Sequence, residues 1–214
     1  IVSSLTLMAR EVTSFNDGWE FKRGPFSTNV YKAQEIWKGK WTKVNIPHTW
    51  NNKDMQTEYN KFYQGAAYYR KTYLASEDLK GKRVFLRFEG VGSCSEVYVN
   101  GALVGTHKGG YSAFEIGDEL QLGKNNEIVV KADNQSRPDV IPVNHILFGV
   151  YGGIYRPITM IVTDSCNISV NDFASSGVYI TQKNVSAKSA DISVKVKLDN
   201  GRLHPASLVL ENRI

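Results

Sequence analysis

The chain has 214 residues, 42% of them hydrophobic and 22% charged, with a net charge of +5 from 26 Lys+Arg against 21 Asp+Glu. This is ordinary globular composition, enough for one large domain or one and a half smaller ones. No apolar run approaches the ~20 residues of a membrane-spanning helix. The basic residues (Lys22, Arg23, Lys38, Lys40, Lys80, Lys82) are scattered among acidic ones. Neither a membrane span nor a nucleic-acid partner is therefore expected.

Residues 1–12 form a leader. Its first nine, Ile1 to Ala9, are uncharged and mostly apolar, and Arg10 and Glu11 follow. They read as the tail of a secretory signal peptide, although Leu7 fits the small-residue rule poorly; an ordinary first strand or an unstructured leader is the alternative. Export to the periplasm or the medium is the expectation.

From there the periodicity is that of β-structure. Over 83–89, Val84, Leu86 and Phe88 share one side, and Arg83, Phe85, Arg87 and Glu89 share the other. Residues 96–100, 127–132 and 158–163 read as further strands, and no window carries a helical apolar stripe. Asn100-Gly101, between Val97/Val99 and Leu103/Val104, is the strongest hairpin signal, because both central residues of such a turn need positive φ. Glycines at 109–110, 123 and 152–153 punctuate the chain at similar intervals. Short strands with regular turns indicate an all-β sandwich or jelly roll.

A boundary falls near 163–167. All four tryptophans (Trp19, Trp37, Trp41, Trp50) precede it. After it come about three lean strands, around 178–181, 191–198 and 207–211. A second hairpin turn is expected at Asp199-Asn200-Gly201, after the alternating Ile192, Val194, Val196 and Leu198. An immunoglobulin-like sandwich takes about seven strands and ~100 residues. Residues 166–214 supply the first part of one.

Several chemistries are weak here. Gly90 to Ser95 nearly spells a dinucleotide fingerprint, but the next segment is a strand where a phosphate-cradling loop must open a helix. Cys94 and Cys166 have no CxxC spacing, and His48, His107, His145 and His204 have no HxxxH or HxH spacing, so no metal is expected. The cysteines read as two small buried side chains, with a disulfide as the alternative. No Ser sits in a GxSxG elbow, and no pair of carboxylates stands out for glycoside hydrolysis. No catalytic residue is assigned.

One region does stand out. A polar loop begins at Asp133 and Asn134, passes Asp139, and ends at Asn144 and His145. It then runs into the aromatic and glycine-rich 148–156. Asp, Asn and His can bond sugar hydroxyls while a ring stacks on the C–H face. The alternative is a loop whose Asp and Asn cap their own turns. On residue chemistry alone the two stand level.

Seven motifs occur in order: 15–21 (FNDGWEF), 44–51 (VNIPHTWN), 65–71 (GAAYYRK), 85–91 (FLRFEGV), 97–101 (VYVNG), 109–114 (GGYSAF) and 151–156 (YGGIYR). Together, over about 13–163, they resemble the N-terminal sugar-binding domain of glycoside hydrolase family 2, the family of β-galactosidases, β-glucuronidases and β-mannosidases. Exported β-galactosidases of Bacteroides type are nearest in style. The resemblance implies a galactose-binding-like jelly roll over 13–163 and the start of an immunoglobulin-like sandwich over 166–214. It also implies a downstream TIM barrel carrying the two glutamates of retaining hydrolysis, so that this chain by itself is inactive. The implied partners are a β-galactoside or related carbohydrate and the barrel of the same polypeptide, with a homo-oligomer an open question. Asp139, Asn144 and His145 lie on the loop that in family members can reach the barrel's sugar. Pro157 stands where an acidic residue commonly follows the Arg of the last motif. Tyr111, Phe114 and 47–50 are expected to pack and turn rather than touch sugar. No cofactor is implied, and a structural calcium is left open. A self-sufficient carbohydrate-binding module and a ligand-free assembly domain are the rival readings.

Overall fold

A computed structural model describes residues 10–24, 39–54, 62–143 and 149–211. The signal-peptide reading of 1–9 lies outside them. Among the described residues the architecture is antiparallel β, with one short 3-10 turn at Glu77–Leu79.

Two sheets face each other. The smaller has the order β1-β10-β5-β8, from Glu11–Ser14, Ile158–Asp164, Lys82–Phe88 and Phe114–Gly117. The larger has the order β3-β2-β4-β9-β6-β7, from Thr42–Val44, Trp19–Arg23, Ala66–Leu74, Asn125–Asp133, Cys94–Val99 and Ala102–Lys108. Alternate residues of each sheet point inward, as the pleat requires. Leu86 and Phe88 of β5 therefore meet Val97 and Val99 of β6 and Ile128 and Val130 of β9 in one core. Trp19, Trp50 and Tyr69 belong to the same core. Asn100 and Gly101 both have positive φ (50° and 87°) and join β6 to β7, as expected of this dipeptide.

The alternation of β5 fails at one residue. Phe85 belongs by period to the polar side, yet it is fully buried and packs with Ile161 and Val170. The chain leaving β10 folds back over this outer face. Arg10 and Arg87 pin it there: Arg10 Nη2 donates to the carbonyls of Ile168, Ser169 and Ser176, and Arg87 Nη1 to that of Ala174 (2.6 Å).

Beyond the boundary, β12 (Val178–Lys183) and β13 (Asp191–Val196) form a ribbon, while β11 (Cys166–Ile168) pairs with β14 (Leu198–Asn200). This corrects two expectations. Asp199-Asn200-Gly201 is not a hairpin turn; Asp199 and Asn200 lie in β14. The Lys197 amide donates to Gly177 O, which ends the first run, and the Gly201 amide donates to Ser165 O (2.7 Å), which ties the second run to β11. Ser169 Oγ adds a bond to Asp199 Oδ2 (2.7 Å). Residues 207–211 form no strand and pair with nothing ladder-like among the described residues. Both cysteines are free, Cys166 buried and Cys94 half-buried, so the disulfide alternative does not occur.

Candidate functional site

Strand β9 ends at Asp133, paired on one side with Ala66 and on the other with Cys94. The Asp133 carbonyl accepts both the amide and the hydroxyl of Ser93. Its carboxylate caps the loop that follows: Oδ1 accepts from the Gln135 amide (2.8 Å) and Oδ2 from Arg137 Nη2 (3.2 Å). This is the turn-capping behaviour of an Asp at a strand end.

Asn134 is fully buried. Its Oδ1 accepts from the Gly65 amide (2.8 Å), and its Nδ2 is shared among Val150 O (2.7 Å), Tyr63 O (3.2 Å) and Asn51 Oδ1 (3.3 Å). Asn51 repeats the role: its Oδ1 accepts from the Gly152 amide (2.8 Å) and its Nδ2 donates to Asp54 and to Tyr63 O. These two amides lock four chain segments together at one end of the sandwich. Asn134, expected as a sugar contact, has its side-chain donors and acceptor engaged in the interior. In the sequence Asn51 stood out only as the last residue of the 44–51 motif, with no role assigned to its side chain; that role comes from tertiary neighbours.

Asp139 sits on the outer side of the loop, exposed and paired with Lys108 Nζ (2.5 Å), which holds its carboxyl below the usual carboxylate range. Asn144 and His145 lie outside the described residues. The five expected sugar contacts thus divide into two at the loop's root, one on its flank and two outside.

Residues 149–156 rejoin the sandwich through an isolated bridge from Gly153 to Gly92. Gly92 and Gly153 exchange backbone hydrogen bonds, and a Cβ on Gly92 would lie 2.4 Å from Tyr151 O. On Gly152 a Cβ would strike the Trp50 ring at 1.8 Å. The glycines of the GGIYR-like motif are therefore required by close approach, which any side chain would block. Thr49 Oγ1 completes the joint with a bond to Gly152 O (2.8 Å). Beside it the His48 ring lies against Phe21, its Nδ1 2.8 Å from the Tyr69 hydroxyl. Burial lowers the His48 pKa and raises that of Tyr69, so both are neutral at pH 7.

A cleft of about 320 Å³ opens where the 109–112 turn meets 149–155. Tyr111, Tyr151 and Tyr155 wall it, over a floor that includes Gly92, Gly110 and Val150. Tyr155 donates through its hydroxyl to Gly110 O. Phe114 packs in the core as expected, stacked on Phe88 (4.9 Å between centroids). Tyr111 does not: it is 57% exposed, because it rides the turn between β7 and β8 rather than either strand. The visible signal was a tyrosine directly after a Gly-Gly turn. Among the described residues no group of three His, Cys, Asp or Glu is placed to hold a metal.

The model of the glycosyl hydrolases family 2 sugar-binding domain matches residues 25–164. A β-glucuronidase of Bacteroides fragilis is 37% identical over 203 residues, which is 94% of this chain and 28% of that protein. A β-galactosidase of Thermoanaerobacter pseudethanolicus is 31% identical over 92% of this chain and 26% of its own length. Among solved structures, a Bacteroides fragilis protein provisionally described as a β-galactosidase is 66% identical, with a TM-score of 0.86 over 93% of this chain and 30% of that one. The chain spans less than a third of the length of each of these three relatives. With its sandwich, its ordered motifs and its glycine-built end, the chain belongs to glycoside hydrolase family 2, of which it forms the N-terminal sugar-binding domain.

Proposed function

We propose that this chain is the non-catalytic N-terminal part of a retaining β-galactosidase, exported from a bacterial cell. It braces a downstream catalytic barrel and lends the 133–150 loop to that barrel's sugar pocket. The observation that carries this reading is the locked joint at the loop's root. Asn134 and Asn51 tie the chain on both sides of the loop, at 134 and at 150–152, to the sandwich, the rigid base that a pocket wall needs. The choice of galactoside rests on the 66% identical structural neighbour. A glucuronide is the second reading, favoured by the Bacteroides fragilis β-glucuronidase.

In this reading the two carboxylates of the reaction lie on the barrel. Asp133 and Asp139, each paired with a cation, orient and bind rather than transfer protons. Residues 166–214 begin the immunoglobulin-like sandwich that links the two parts.

The test is a parallel assay of the full-length protein and of the 214-residue chain on p-nitrophenyl β-galactoside and β-glucuronide. The full-length protein is expected to hydrolyse the galactoside with retention, and the short chain to hydrolyse neither. Turnover by the short chain, or none by the full-length protein on either substrate, would overturn the reading.

A further inference from the structure

We infer that the cleft between Tyr111, Tyr151 and Tyr155 is a binding subsite for an uncharged pyranose ring, built wholly from this chain. The inference takes its choice of sugar from the family 2 reading above, and takes nothing from the 133–145 loop.

The first ground is what the walls offer. Tyr111 and Tyr151 are 57% and 45% exposed, and their hydroxyls have no partner among the described residues. Each presents a ring face together with a free donor and acceptor, the pairing that a sugar's C–H face and hydroxyl rim require. The other polar side chains lining the cleft are already engaged: Thr49 with Gly152 O, Ser93 with Asp133 O, Tyr155 with Gly110 O. No carboxylate, ammonium or guanidinium is among the lining residues. The nearest cation, Arg156, lies outside the lining, its guanidinium over the Tyr155 ring (5.6 Å) and its Nη1 on Tyr111 O (3.4 Å), so no charged group faces the cleft itself and a neutral polyol leaves no ion unpaired.

The second ground is pre-formation. Tyr151 is braced edge-on by the Phe62 ring (5.5 Å, 85°). The floor is held by the Gly92–Gly153 bonds and by Gly109 N to Ser93 O (2.9 Å). A Cβ on Gly110 would come 3.3 Å from the Gly92 Cα, so these loops approach as closely as glycines allow. A site already assembled loses little freedom on binding. Its 320 Å³ lies at the lower end of the range for small-molecule sites, the size for one or two sugar rings rather than a long chain.

The experiment is an amide-resolved NMR titration of the 214-residue chain with methyl β-galactoside, and in parallel with galacturonic acid and glycerol. Saturable shifts are expected for methyl β-galactoside, confined to Gly92, Gly110, Tyr111, Val150 and Tyr151. Galacturonic acid and glycerol should bind at least about tenfold more weakly. Tyr111→Ala and Tyr151→Ala change exposed side chains, and each should weaken binding at least about tenfold while the remaining spectrum stays that of the folded chain. Absence of saturable shifts, shifts that map elsewhere, or binding unchanged in both variants would overturn the inference. Its failure is distinct from failure of the family 2 reading, which is judged by turnover in the full-length protein.

Discussion

Two stretches of this chain alternate with equal regularity and end in opposite environments. In β6 and β9, Val97, Ile128 and Val130 are fully buried between two sheets. In the β12–β13 ribbon, Val178, Ile180, Val194 and Val196 also share one face, through the pairs Val178–Val196 and Ile180–Val194, yet Ile180 stays 63% exposed. Alternation makes a strand two-faced. Burial needs a second layer across from it. The jelly roll supplies both of its layers from residues 11–164, whereas the ribbon shows only one side of a sandwich among the described residues.

The comparison can be broken most forcefully in the jelly-roll core. Phe88→Ala removes a fully buried ring stacked on Phe114 and is expected to destabilise the chain by about 3–5 kcal/mol. Urea unfolding followed by tryptophan fluorescence measures this directly. A loss under about 1 kcal/mol would mean the two sheets do not depend on that contact.

Next comes the loop joint. Asn134→Ala strands the Gly65 amide and the Val150 carbonyl in the interior, and at roughly 1–3 kcal/mol per unpaired group a loss of about 2–6 kcal/mol is expected. Hydrogen exchange should rise at the Gly65 and Gly152 amides before any other part of the sandwich. Unchanged protection there would show that Asn51 holds the joint alone.

A smaller effect is expected from pH. Burial lowers the His48 pKa in the folded chain, so the unfolded state, with its ordinary value of 6.5, binds the proton more readily. The stabilisation from keeping this ring neutral is complete above pH 6.5 and is lost as pH falls from there to the folded value. His107 is shifted in the same direction, also by burial. The urea midpoint should therefore decline on acidification from about pH 7.5 to 5.5, and less steeply in His48→Gln. An identical slope in the variant would remove His48 from the account.

The least effect belongs to the ribbon. Ile180→Thr with Val194→Thr should shift stability by no more than about 0.5 kcal/mol, while lowering binding of the hydrophobic dye ANS. A large loss of stability would mean that this face is already covered in solution.

How much of this was legible depended on the range of the interaction that decides each feature. The β class, the Asn100-Gly101 hairpin and the family were readable, since they rest on period, turn chemistry and ordered motifs. The loop was readable as a polar departure from a strand, but the work of its residues was not. Asp133 caps its own loop through the nearby Gln135 and Arg137, one of the two readings the sequence allowed, whereas Asn134 becomes a buried joint only through the distant Gly65, Tyr63 and Val150.

The sequence by itself determined where strands begin to alternate and where glycine must turn the chain, because those preferences act between residues a few positions apart. Tertiary structure alone decided that Phe85 is covered on its polar side, that Asp199 and Asn200 join a ladder with β11 instead of turning, and that Tyr111 stands exposed over a cleft. Each of those outcomes depends on a segment distant in sequence: Val170 over Phe85, Asn167 opposite Asp199, Tyr151 and Tyr155 across from Tyr111. Side-chain period records which way a residue points, and only the packed neighbour determines what it meets there.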